Sequence, residues 1–190
     1  MPKQRITKEM VVDTAFELAR REGAEKVTVK ALAESLGCSV QPIYSYCQSM
    51  DGLRAELAER AAEFVRAYAA KAVDKNDLFR STGRAYVRLA KEEPHIFKLF
   101  LFRDRKSINS LHELYLSETN PAVAKLTAEK LGLSLEAAQE LHLDMLIYTI
   151  GIGTIFAVTS PNLPEAEIFA RQERAYEAFL KDAEEKTGNE

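Results

Sequence analysis

The chain has 190 residues, 46% apolar and 29% charged, with a formal net charge of −3 at pH 7. These values lie in the globular range and exclude a disordered chain. Few glycines, no tryptophan and long Ala/Glu/Leu/Arg-rich stretches favour helix. The charged N-terminus has no apolar signal core, and the longest uncharged run, Met145 to Val158, is too short to cross a bilayer. No membrane span and a cytoplasmic location are therefore expected, with room for one core or for a small domain plus a larger one.

The chain opens on a basic leader, Lys3, Arg5 and Lys8, with no acid before Glu9. Such arms reach minor grooves or phosphates in some DNA readers; a frayed, solvated terminus is the competing reading. A helix follows from about Thr7 to Glu22, where Val11, Val12, Ala15, Phe16, Leu18 and Ala19 form a broad apolar stripe. Gly23 ends it and Gly-Ala-Glu-Lys connects to the next segment. There Val29, Leu32, Ala33 and Leu36 recur at i, i+3, i+4 and i+7, one face of a second helix. Gly37 follows at once, suited to a left-handed helix end. Ser39 is placed to cap a third helix, and Pro42 falls in its first turn, where a missing N–H costs little. Ile43 and Cys47 give that helix a narrow inner face. Two short helices around a tight glycine turn are the pattern of a helix-turn-helix, whose second helix enters the DNA major groove. An ordinary helical hairpin with a polar outer face has the same spacing.

The outer face of the third helix supports the first alternative. On a wheel centred on Ile43, Gln41 and Ser45 point away, with Pro42 and Tyr44 on the flanks. Gln pairs with adenine edges, Ser with bases or phosphates, an apolar ring with a thymine methyl, and the Tyr44 hydroxyl suits a phosphate. Val40 and Tyr46 lie nearer the inner face, where packing competes with contact.

The order Ala15-Phe16-Glu17-Leu18-Ala19, Gly23, Val27-Thr28-Val29, Leu32-Ala33, Leu36-Gly37-Cys38-Ser39, Ile43-Tyr44 and then Leu53 resembles the N-terminal domain of the TetR family of bacterial transcriptional regulators. The detailed resemblance covers about residues 7–60; beyond that only length and helical character agree. It implies an all-α fold, with a three-helix helix-turn-helix domain over residues 1–50 and a helical effector-binding and dimerisation domain over 51–190. It also implies a homodimeric DNA-binding regulator, mostly a repressor, released from its operator by a small molecule. It assigns Thr28 to a DNA backbone contact and places Ser39, Val40, Gln41, Pro42, Tyr44 and Ser45 on the DNA. The chain departs from the family at Cys47, where many members carry an aromatic residue. It departs again at Ser49-Met50-Asp51-Gly52, where many place a phosphate-binding lysine at the start of helix four. Free N–H groups there still suit a phosphate, but Asp51 would repel it.

Residues 1–50 hold seven bases (Lys3, Arg5, Lys8, Arg20, Arg21, Lys26, Lys30) against six acids (Glu9, Asp13, Glu17, Glu22, Glu25, Glu34), so the acid excess belongs to the remainder. A near-neutral reading domain implies modest non-specific affinity and a shallow salt dependence.

The remainder reads as helices of about 49–71 and 77–92, the latter closed by Pro94. A dense apolar run from Ile96 to Phe102 follows, with helix starts at Ser107 and at Asn120-Pro121. A helix from Ser134 to Ser160 is broken by Pro161 and Pro164, and a last one covers about 165–185. The 145–158 segment is apolar on every side and must be covered all round. A twin subunit is the expected cover, with Gly151 and Gly153 allowing close approach and Phe169, Tyr176, Phe179 and Ala183 keeping a seam, so the last two helices are expected to form a four-helix bundle in a homodimer. A single buried core helix is the alternative. Phe97, Phe100, Leu101, His112, Tyr115 and Tyr148, with Phe102, are candidates to wall an effector pocket; core packing is the competing reading for each.

No catalytic motif, metal cluster or cofactor signature is present. Glu92 and His95 have a di-iron-like spacing once only, and Pro94 breaks the helix that would align them. Cys38 and Cys47 read as reduced, with Cys38 a small turn residue. The expected partners are a double-stranded palindromic DNA operator, an unidentified small-molecule effector and a second copy of the chain. The competing class is a helical protein-interaction or carrier protein without DNA binding.

Overall fold

The computed structural model describes residues 6–47, 49–74, 77–105, 107–159 and 162–188. Among them the chain is all-α. The helices are α1 Lys8–Glu22, α2 Val29–Leu36, α3 Gln41–Cys47, α4 Met50–Ala72, α5 Leu78–Glu92, α6 Pro94–Leu101, α7 Leu111–Glu118, α8 Pro121–Leu131, α9 Leu135–Thr159 and α10 Glu165–Thr187, with a 3-10 turn at Ala24–Lys26. Two compact units result: Met1–Tyr68 with Glu92–Asp104, and Ala69–Lys91 with Arg105–Glu190. The first unit thus runs past residue 50 along α4 and takes in α6.

In the first unit α1 starts where Thr7 Oγ1 accepts the Met10 N–H at 3.2 Å and stops at Gly23, whose φ of 99° few other residues adopt. Its apolar stripe packs on α2, α3 and α6. Val11, Ala15 and Ala19 are fully buried, beside Leu32, Ile43, Leu53, Leu57, Val65, Ile96 and Phe97. Each large side chain so buried contributes about 1.5–3 kcal/mol relative to exposure. The Phe16 and Phe64 rings stack obliquely at 5.6 Å, Arg60 lies over the first and Arg20 over the second.

In the second unit α9 packs most extensively on α10 and also on α8. Leu133, Ala137, Ala138, Leu141, Met145, Tyr176 and Ala183 form the core, with Phe79, Phe179 and Leu180 against it. Cations along α5 meet acids of α10: Arg80 and Arg84 reach Glu173 at 2.8 and 3.4 Å, while Arg88 and Lys91 reach Glu165 at 3.3 and 3.2 Å. Arg88 also covers the Phe169 ring and Arg80 the Tyr176 ring. Phe169, Tyr176, Phe179 and Ala183 therefore pack within the chain. The uncovered apolar face lies on α9, where Ile147, Gly151, Ile155 and Val158 are exposed; Gly153 is buried in its own unit.

α7 begins at Leu111 and not near Ser107. Ser110 Oγ accepts the Glu113 N–H at 3.1 Å and the Glu113 carboxylate reaches back to accept the Asn109 N–H at 2.7 Å, support for which Ser107 has no acid at the corresponding position. Pro94 opens α6 rather than merely closing α5, since a proline is tolerated at a first helical position. Asn120 and Ser134 stand where expected, each capping the helix that follows. Ser160 and Pro161 lie outside the described residues. α9 is, by length and composition, the one helix among the described residues long and apolar enough to cross a membrane, charged flanks included; a core helix of this length meets the same test.

Candidate nucleic-acid interface

Residues 28–47 fold as two helices around a turn because the local signals agree. Thr28 Oγ1 accepts the Ala31 N–H at 3.2 Å and starts α2. Gly37, left-handed at φ 62°, ends it, with Gly37 and Cys38 donating to the Glu34 and Ala33 carbonyls. The first bond of α3 runs from the Tyr44 N–H to the Val40 carbonyl, so Val40 and not Ser39 holds the capping position; Ser39 lies one residue ahead, exposed. Pro42 is in the first turn, as its missing N–H allows.

Ile43 and Cys47 are the buried residues of α3, and they turn the opposite face outward. Gln41 and Ser45 are exposed, Pro42 and Tyr46 half-buried, and Tyr44 and Val40 are 54% and 45% exposed. Ser39, Val40, Gln41, Tyr44 and Ser45 are therefore exposed, with Pro42 half-buried among them. Thr28 is exposed at the start of α2, which packs on α3. Its hydroxyl accepts from Ala31 while its own proton is left to donate. Burial pushes the Cys47 thiol above its ordinary pKa, which keeps it a small apolar plug.

The corner between α3 and α4 is closed by backbone. The Ser49 N–H donates to the Cys47 carbonyl, and Ser49 Oγ accepts the Gly52 N–H at 3.0 Å. A Cβ on Gly52 would sit 2.6 Å from the Cys47 carbonyl oxygen, so only glycine allows this approach. The sequence names Ser49 and Gly52 only as part of a departure from the family, not as a cap and a close-approach glycine, although Ser at the residue before a helix is the ordinary signal for a cap. Met50 is half-buried, and Asp51 is paired with Arg54 at 3.0 Å. This helix start therefore carries a satisfied donor and an exposed acid, poorly suited to an anion. Lys8 pairs with Glu56, whereas Lys26 and Lys30 are exposed on the same unit. Lys3 and Arg5 lie outside the described residues.

The residues nominated for an effector pocket are divided. Phe97, Phe100 and Leu101 belong to the first unit, where Phe97 and Phe100 are core; His112, Tyr115 and Tyr148 belong to the second, with His112 exposed and Tyr115 buried. Tyr115 meets His142, a residue the sequence reading did not nominate: the two rings are edge-on at 5.5 Å, the Phe79 ring is edge-on to His142 at 5.4 Å, and burial lowers the His142 pKa to about 4. In the first unit an open groove of about 700 Å³ runs beside α4 and α6, floored by Val27, Leu53, Leu57, Leu99 and Phe102. Of the residues nominated, Phe102 alone lines it. Among the described residues no group of three or more His, Cys, Asp or Glu is placed to hold a metal.

Residues 11–57 match the family model described as bacterial regulatory proteins, tetR family. The HTH-type transcriptional regulator YobS of Bacillus subtilis (strain 168) is 29% identical over 105 residues, 54% of this chain and 55% of that protein. The HTH-type transcriptional repressor Rv1353c of Mycobacterium tuberculosis (strain ATCC 25618 / H37Rv) is 28% identical over 149 residues, 77% of this chain and 56% of that protein. The matches thus span about half the length of these curated relatives. A solved structure described as "a possible TetR family transcriptional regulator from Streptomyces coelicolor A3(2)" has a TM-score of 0.59 at 14% identity, covering 93% of this chain and 98% of that one. At that identity the likeness speaks for the fold.

Proposed function

From the TetR family, to which the helix-turn-helix head of this chain belongs, we propose a DNA-binding transcriptional repressor that acts as a homodimer on a palindromic operator. The observation that carries this reading is α3, whose inner face is buried while Gln41, Tyr44 and Ser45 stand exposed with no side-chain hydrogen bond to any described residue. The repressor naming of the relative from Mycobacterium tuberculosis supports the direction of regulation.

The dimer follows from geometry and from α9. Two recognition helices meet successive major grooves only about 34–36 Å apart, which one protomer cannot supply. The exposed stripe of Ile147, Gly151, Ile155 and Val158 offers a two-fold partner an apolar surface. Release by a small molecule completes the proposal: the effector prefers one arrangement of the two heads and weakens operator binding by linkage. The aromatic cluster of the buried Tyr115 with the half-buried His142 and Phe79 is the best support for its site in the second unit.

The test is a gel shift of the full chain against duplexes from its own upstream region. A retarded band that weakens with Gln41→Ala and with Tyr44→Phe is expected. A band unchanged by both substitutions removes α3 from the contact surface, and absence of any band favours the protein-interaction alternative.

A further inference from the structure

Every side chain that α3 turns outward is uncharged. Val40, Gln41, Tyr44 and Ser45 are exposed and Pro42 is half-buried. The sequence has no lysine or arginine between Lys30 and Arg54, and the acids of that stretch, Glu34 and Asp51, lie on α2 and α4.

Base-pair edges in the major groove discriminate among such side chains. Guanine offers two acceptors, filled best by arginine or lysine, and cytosine offers an amine that a carboxylate accepts. The outer face of α3 has neither cation nor carboxylate. Adenine sets N7 beside its N6 amine, an acceptor and a donor that the Gln41 amide matches with its own donor and acceptor. Thymine offers its methyl group, which suits Val40, Pro42 or the Tyr44 ring. The scarcity of cations sharpens this choice. Few neutralised phosphates mean weak indiscriminate binding, so discrimination must come from base edges.

We propose that α3 reads A·T pairs, with Gln41 on an adenine edge and the Val40, Pro42 and Tyr44 surface on thymine methyls, and that the contacted core of each operator half-site is A·T. This rests on the DNA-binding reading above and specifies its substrate.

The experiment is repeated selection of the full chain on duplexes with a randomised core, followed by affinity measurement on the winning sequence. Half-sites with A·T at the contacted positions are expected. Replacing thymine there by uracil, which removes only the methyl, weakens binding several-fold. Gln41→Ala lowers the preference for A·T over G·C at one position by about ten- to a hundred-fold. Gln41→Arg moves the preference at that position to guanine. Gln41 is exposed at the helix start, and the selection with the unaltered chain does not depend on either variant folding. Winning half-sites with required guanines, insensitive to uracil, overturn the proposal while leaving DNA binding intact. Failure to retain any duplex at low salt overturns the DNA-binding reading itself, and the proposal with it.

Discussion

Arg20 forks onto Glu93: its Nε lies 3.0 and 2.9 Å from the two carboxylate oxygens and Nη2 closes on the first of them. Glu93 is the residue that precedes α6, so the pair ties α1 of the reading head to the start of that helix. The Arg20 guanidinium also lies 5.1 Å from the Phe64 ring centre on α4, and the carboxylate raises its pKa further by accepting its hydrogen bonds. Three helices of the first unit therefore meet at one cation.

The Arg20 side chain is 38% exposed and Glu93 17%, so solvent screens part of the attraction. A double-mutant cycle with Arg20→Ala and Glu93→Ala is expected to give a coupling of about 1 kcal/mol by denaturant unfolding. Arg20→Lys recovers less than half, because an ammonium cannot fork or stack. A coupling indistinguishable from zero would show that apolar packing alone holds α6 to α1.

Thr28 serves as a cap in the structure and as a phosphate contact in the family resemblance, and one substitution separates the roles. Thr28→Ala loses the cap, about 1 kcal/mol. Thr28→Asp retains a good cap but sets a negative charge against the duplex. Unchanged thermal stability with weakened operator binding is expected for Thr28→Asp. Binding equal to that of the unaltered chain would leave Thr28 a cap and nothing more.

Salt dependence tests the charge balance of the head. Lys8 and Arg54 are paired with Glu56 and Asp51, which leaves Lys26 and Lys30 as exposed cations of the described head that carry no ion pair. The slope of log affinity against log salt should fall well short of about −10, the value of a strongly phosphate-bound repressor. Titration of the selected operator between low and physiological salt measures it directly. A slope of that steepness would mean that the N-terminal basic residues, or others outside α2 and α3, dominate.

The head was legible in the sequence because short-range signals and burial agree there. The spacing of Val29, Leu32, Ala33 and Leu36, the glycine after them and the inward Ile43 each specify the same turn, and the structure repeats them. Caps were harder, since several hydroxyls compete within a few residues. Ser107 lost to Ser110, where Glu113 also reaches back to the Asn109 N–H, while α3 starts after Val40, a residue with no hydroxyl, one position beyond Ser39. The stripe of Phe169, Tyr176 and Phe179 was expected to form a seam with a second copy; within the chain it packs under α5 cations and on the α9 core. Apolar residues that fill a core and those that wall a cavity have the same composition, which is why Phe97 and Phe100 were legible only as a choice between the two.

His142 should make the second unit sensitive to acid. Enclosed by Phe79 and Tyr115, its imidazole has a pKa of about 4 against an ordinary 6.5, because burial disfavours the charged form. The folded state therefore binds fewer protons than the unfolded one between those values. The stabilising effect of a neutral His142 is complete above about pH 6.5 and declines as pH falls toward 4, by up to about 3 kcal/mol. His142→Leu removes this component, so the difference in unfolding free energy between the two proteins should change with pH in that window and level off outside it. A constant difference would show that the imidazole is solvated and titrates normally.

Gly151 distinguishes a covered α9 face from a bare one. A Cβ built there meets nothing within 4 Å in the single chain, and the residue is exposed between Ile147 and Ile155. In a monomer, Gly151→Ala would stabilise the helix by up to about 1 kcal/mol through propensity alone. In a homodimer with helices in close approach across this face, the same methyl group weakens association. Sedimentation at several concentrations should show Gly151→Ala and, more strongly, Ile155→Glu shifting the chain toward monomer, with operator affinity falling in step because one head alone cannot span two grooves. If Ile155→Glu leaves the dimer intact, the partner sits elsewhere. If the unaltered chain is itself monomeric while still retaining a palindromic duplex, two protomers meet only on the DNA.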